Sequence, residues 1–138
     1  MKKNEGGDVR VIRVGLHLVV ELYGCKREDI STLEVYKEKI ERVVNKSGVT
    51  VLSSYHHQFN PHGVTSIFLL AESHFTVHTW PEYNYMAVDI FTCGSAEKAW
   101  QVLECLKEEF KPVKVKVIDI IRGIPYEEVQ RVSAPIPE

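Results

Sequence analysis

Five of the six histidines, His56, His57, His62, His74 and His78, fall within residues 56–78. Such crowding raises the question of a metal site, and the spacing argues against one. Phe75, Thr76, Val77 and Thr79 favour extended chain, which sets His74 and His78 on one strand face about 13 Å apart, too far for a single ion to bridge. His56 and His57 are adjacent and point to opposite faces, and neither a Cys-x-x-Cys nor a His-Glu-x-x-His spacing occurs. No metal is expected. The denser signal is the run 71–82, AESHFTVHTWPE, with two histidines, three hydroxyl residues, a tryptophan and acidic residues packed behind an apolar strand. Ser73 stands between Glu72 and His74 without a Gly-x-Ser-x-Gly elbow, so a serine hydrolase is not indicated. Twenty residues further on, Cys93 sits between Thr92 and Gly94 at a strand end, where loops often carry function. The cysteines number three, Cys25, Cys93 and Cys105, in a chain large enough to build a core without staples, so they read as free thiols.

The elements that must position these groups are legible from periodicity. Ile12, Val14, Leu16, Leu18, Val20 and Leu22 alternate with more polar residues, the pattern of a strand with one face in the core. Leu33, Tyr36, Ile40, Val43 and Val44 recur at helical spacing over 32–47, opened by a Ser31/Glu34 capping box and closed at Gly48. Residues 49–59 and 64–71 read as a hairpin around Asn60, Pro61, His62 and Gly63. A strand at 84–92 precedes a helix opened by Ser95, carried by Ala99, Leu103, Leu106 and Phe110 and ended by Pro112; Val113, Val115 and Val117 start the last strand. The order β-α-β-β-β-α-β, with a short strand allowed at 74–79, predicts an α+β two-layer sandwich: an antiparallel sheet with two helices on one face.

With 138 residues, 44% of them apolar and 26% charged, the chain is expected to form one domain, 1–138, with a real core. A net charge of −2 lacks the basic footprint of a nucleic-acid binder. No apolar run approaches the ~20 residues of a membrane span, and no apolar stretch follows MKKNEGG as it would in a signal peptide. A cytoplasmic protein is expected, without nucleic-acid or membrane partners.

The run from Pro61 to Gly94, and above all AESH, HTWPE and FTCG at this spacing, resembles the core of the short prokaryotic S-adenosylmethionine decarboxylase proenzymes. More loosely the likeness extends from Gly15-Leu16-His17 to Arg122-Gly123. It implies a pyruvoyl-dependent enzyme of polyamine synthesis, made as a precursor that cuts itself between Glu72 and Ser73 into a β chain of 1–72 and an α chain of 73–138. In that mechanism the Ser73 hydroxyl attacks the Glu72 carbonyl, replacing the peptide bond by an ester. Such an attack needs a strained or polarised peptide. Loss of the α-proton of residue 73 then expels the ester, and the product hydrolyses to a pyruvoyl cap. The resemblance gives His78 the elimination step and Thr65 the place of a hydroxyl, usually serine, that assists the acyl shift. The pyruvoyl ketone would take the substrate amine as a Schiff base and serve as electron sink, the part played elsewhere by pyridoxal phosphate, which is not expected here. Cys93 matches the family's proton donor to the substrate carbon, Phe59 an aromatic that stacks on adenine, and Glu82 a carboxylate near the ribose. By residue type alone Phe59 reads equally as core. The resemblance also implies a homodimer of processed protomers with sites at the interface.

Departures from the family pattern are Leu16 in place of a basic residue, and Ser66 and Asn84 in place of glycine. They bear on the substrate more than on the cofactor. Arginine or ornithine is therefore an alternative substrate for the same machinery. A non-catalytic regulatory partner of a decarboxylase is a more distant reading, disfavoured by Ser73, His78 and Cys93 occurring together.

Overall fold

The computed structural model describes residues 2–3, 9–10, 14–123 and 126–129. Strands β1 (Lys2–Lys3) and β2 (Val9–Arg10) pair with each other. The sheet that matters comprises β3 (Gly15–Tyr23), β4 (Val51–Gln58), β5 (Val64–Leu70), β6 (Ser73–Trp80), β7 (Tyr85–Cys93) and β8 (Lys114–Arg122). Its order is β4-β5-β6-β7-β3-β8, and every neighbouring pair is antiparallel. Helix α1 (Arg27–Ile30) is a single turn, while α2 (Leu33–Ser47) and α3 (Ala96–Phe110) pack against each other and on one sheet face. The expected architecture is present. Residues 73–80 form a full strand, so four strands rather than three lie between the long helices. Ile12, with Val11 and Arg13, lies outside the described residues, as does the SAPIPE tail.

Period-two burial explains why the sheet has two unlike faces. Leu16, Leu18, Val20 and Leu22 of β3, Met86, Val88 and Ile90 of β7, and Phe75 and Val77 of β6 point at the helices and are buried, meeting Tyr36, Ile40 and Val43 of α2 and Ala99, Leu103, Leu106 and Phe110 of α3. The opposite face, which no element of the chain covers among the described residues, carries half-exposed apolar side chains: Ile67 and Leu69 of β5 and Ile118 and Ile120 of β8.

Two local details differ from expectation. Ser31 does not cap α2; its hydroxyl donates to the Arg27 carbonyl at 2.6 Å, closing α1, and the first amide of α2, Leu33 N, donates instead to Gln58 Oε1 at 2.7 Å. The unforeseen α1 preceding α2 diverts Ser31 to its own end. Ser66, where the family usually has glycine, is fully buried, and its hydroxyl is bonded to the Tyr36 hydroxyl at 2.8 Å and His56 Nδ1 at 2.6 Å. Burial, helped by Lys37 and partly opposed by Glu41, lowers the His56 pKa.

Candidate functional site

The tight turn Ala71–Glu72 joins β5 to β6, and Ser73 is the first residue of β6. Its φ is +151°, a backbone conformation that costs a residue with a Cβ roughly 1–3 kcal/mol. The residue before it is held from three sides. Glu72 O accepts a 2.7 Å hydrogen bond from Cys93 N, Glu72 Oε1 accepts one from Thr50 N at 3.0 Å, and Lys98 Nζ lies 3.9 Å from Glu72 Oε2. The Glu72–Ser73 peptide therefore has a strained α side and a carbonyl already facing a donor. A donor in that place stabilises negative charge on the oxygen when a nucleophile adds to the carbon.

Pairing of β6 with β7 sets Ser73 opposite Thr92, which brings Cys93 alongside the turn. Cys93 is exposed, whereas Cys25 is buried and Cys105 is intermediate, so Cys93 is the most accessible of the three thiols. Burial, with Asp29 adding to it, pushes the Cys25 thiol up to about 11. Gly15 of β3 lies so close to the Thr92 carbonyl and Phe91 ring that any side chain there would collide with them. The β-turn end of the sheet thus needs glycine at the crossing.

A second group gathers at the other end of β6. Phe59, His62, Thr65, His78, Trp80 and Glu82 are among the residues lining a cleft of about 360 Å³. Thr65 pairs with His78 across β5 and β6, and Thr65 Oγ1 lies 3.1 Å from His78 Nδ1. Phe59 is 50% exposed, which removes it from the core, and its ring meets the edge of His57 at 4.7 Å. Glu82 Oε2 is 3.1 Å from His62 Nε2, a partner the sequence does not suggest. Trp80 packs on Tyr85 at 5.6 Å.

Within one chain the two groups stay apart. Five residues of extended strand separate Ser73 from His78, about 16 Å. The structure brings Ser73, Glu72 and Cys93 together, and Phe59, Thr65, His78 and Glu82 together, without joining the two sets.

The S-adenosylmethionine decarboxylase model matches residues 16–123. The chain is 46% identical over 110 residues to an S-adenosylmethionine decarboxylase proenzyme of Archaeoglobus fulgidus, covering 80% of this chain and 98% of that one. It is 40% identical over 110 residues to the proenzyme of that name from Thermotoga maritima, covering 80% and 85%. The crystal structure of the adenosylmethionine decarboxylase from Aquifex aeolicus superposes with a TM-score of 0.78 at 36% identity, over 87% of this chain and 99% of that one. An α+β carboxy-lyase is the class that this sheet and these relatives define. More narrowly, the chain belongs to the S-adenosylmethionine decarboxylase family. Neither an arginine or ornithine decarboxylase nor a non-catalytic partner finds support in these relatives.

Proposed function

We propose that the chain cuts itself between Glu72 and Ser73 and, as the processed protein, decarboxylates S-adenosylmethionine with a pyruvoyl group made from Ser73, supplying the aminopropyl donor for spermidine. The observation that carries this is the Glu72–Ser73 peptide: φ of +151° at Ser73 and a 2.7 Å hydrogen bond from Cys93 N to Glu72 O. Those features suit a bond that must be attacked, and residue 73 suits the group because the turn that carries it is hydrogen-bonded to the backbone of Cys93. A pyruvoyl group supplies an electron sink for loss of a carboxylate next to an amine. Cys93, exposed at the rim of the turn, then returns the proton to the substrate carbon from its thiol.

His78 serves the elimination step, with Thr65 holding its Nδ1. Since His78 cannot reach Ser73 of its own chain, the site requires a second copy. Two sheets stacked through their uncovered faces, with a two-fold axis near the middle of β6, set Ser73 of one protomer against His78 of the partner subunit. The half-exposed Ile67, Leu69, Ile118 and Ile120 suit burial in such a contact. Phe59 offers a flat aromatic face for adenine and Glu82 a carboxylate for the ribose. Glu82 is already shared with His62, which makes it a poor lone anchor for a distal cation of arginine or ornithine.

Intact mass of the purified protein tests the processing: two fragments of 72 and 66 residues, the second bearing a carbonyl cap in place of its amine, are expected. Carbon dioxide release from labelled adenosylmethionine, with labelled arginine and ornithine as competitors, tests the substrate. An active, uncut chain refutes the first, and release from arginine or ornithine alone refutes the second.

A further inference from the structure

We propose that His74 is the proton carrier of the acyl shift that opens the Glu72–Ser73 bond, a step distinct from the elimination assigned to His78; the proposal rests on the self-cleavage reading above. The shift is an isomerisation. The bond from Ser73 Oγ to the Glu72 carbonyl carbon forms, the bond from that carbon to Ser73 N breaks, the hydroxyl proton must leave Oγ, and a proton must arrive at the departing nitrogen. No oxidant or co-reactant enters, so one group that takes the first proton and returns it to the nitrogen completes the balance.

Among the described residues, His74 is the side chain that reaches the nucleophile: Ser73 Oγ lies 3.4 Å from His74 Nδ1. That contact is long for a hydrogen bond, as is common before a reacting geometry tightens. His74 immediately follows Ser73 in the chain, so a proton taken from Oγ has only the neighbouring residue's nitrogen to reach. The ring is also oriented. It meets Phe91 edge-on at 5.6 Å, and Phe91 is itself fixed by the Arg122 guanidinium at 5.2 Å and by the His17 ring at 6.0 Å. His17 Nε2 in turn is 3.0 Å from Asp89 Oδ1. His78 is engaged elsewhere, by Thr65. The negative charge that develops on Glu72 O during the shift meets Cys93 N, so base, nucleophile and oxyanion donor all belong to one chain at this first step.

The test follows cleavage of freshly made full-length protein carrying His74→Ala or His74→Gln, with wild type and His78→Ala beside them. Loss of a general base slows a step by about 100-fold or more. Both His74 variants should stay intact, hydroxylamine should not split them because no ester has formed, and added imidazole should restore cleavage to His74→Ala. In His78→Ala the ester should accumulate and hydroxylamine should cut it. Cleavage of the His74 variants at the wild-type rate overturns the proposal. So does an accumulated, hydroxylamine-sensitive ester, which would place His74 after the shift. Slow cleavage that imidazole does not restore in His74→Ala, or normal cleavage in His74→Gln, marks a packing role and overturns it equally. If wild type itself never splits, the self-cleavage reading is what fails.

Discussion

Mixing two inactive chains tests whether the His78 cleft serves the neighbour's Ser73. Take Ser73→Ala, which has no nucleophile, and His78→Ala, which lacks the elimination base, and express them together with distinguishable tags. Along β6 the two residues are about 16 Å apart, whereas proton transfer needs heavy atoms within roughly 3 Å, so a single protomer cannot use its own pair. If instead each site combines Ser73 of one protomer with His78 of its partner, a mixed dimer holds one wild-type site and one doubly damaged site. Equal amounts pairing at random put half of all dimers in the mixed state, so about half of the His78→Ala chains face an intact His78. Denaturing electrophoresis should show that fraction cut, with the Ser73→Ala chains whole and each variant uncut when expressed alone. The readout needs no substrate, so it is independent of what the enzyme decarboxylates. Uncut His78→Ala chains in a mixture shown by pull-down to contain mixed dimers would refute the shared site, as would a stable, active monomer in sedimentation.

Cys93→Ala should still be cut, because its backbone N–H to Glu72 O remains, but its turnover should fall by about 100-fold as the proton reaches the wrong atom; full turnover in the processed variant would show that another group returns it. Ser66→Gly restores the residue common in the family yet strands the buried Tyr36 hydroxyl and His56 Nδ1, so urea unfolding should report a loss of about 1–3 kcal/mol with cleavage retained. At Glu109 burial opposes ionisation, but Arg42 Nε at 2.7 Å and Lys46 Nζ at 3.3 Å outweigh it and hold the carboxyl below the usual carboxylate range. This clamp of α2 to α3 contributes fully above the unfolded carboxylate pKa of ~4.3 and is lost as pH falls through the lower folded value. Glu109→Gln should therefore be less stable than wild type by up to about 1 kcal/mol at neutral pH, with the gap closing below pH ~4 in urea titrations.

What could be read from the sequence divides along a physical line. Alternation in Leu16 to Leu22 and the helical spacing of Tyr36, Ile40 and Val43 are local, and burial demands them whatever the rest of the chain does, so the layers and the faces were accessible. Ser31 looked like a cap because a capping box is a local pattern too, but the turn at α1 competes for the same hydroxyl and wins it. The family resemblance carried by AESH, HTWPE and FTCG likewise singled out Ser73, His78 and Cys93, yet a motif carries no register. The separation of Ser73 from His78 already follows from the extended chain that Phe75, Thr76, Val77 and Thr79 favour, but the meeting of the Ser73 turn with Cys93 becomes visible only once β6 pairs with β7.

The N–H of Cys93 is the sharpest instance of that limit. Every residue but proline has such a group, so no pattern of side chains could mark this one as the donor to Glu72 O. It follows that the thiol and the amide of Cys93 are open to separate tests. Substituting the side chain removes the thiol and leaves the donor, whereas a residue at position 15 larger than glycine presses on the Thr92 carbonyl and shifts the donor while the thiol stays. If the amide polarises the scissile bond and the thiol returns a proton later, the first change should impair turnover after normal cleavage, and the second should slow cleavage itself. A Gly15→Ala protein that folds and is cut at the wild-type rate would show that strain at Ser73 suffices without the donor.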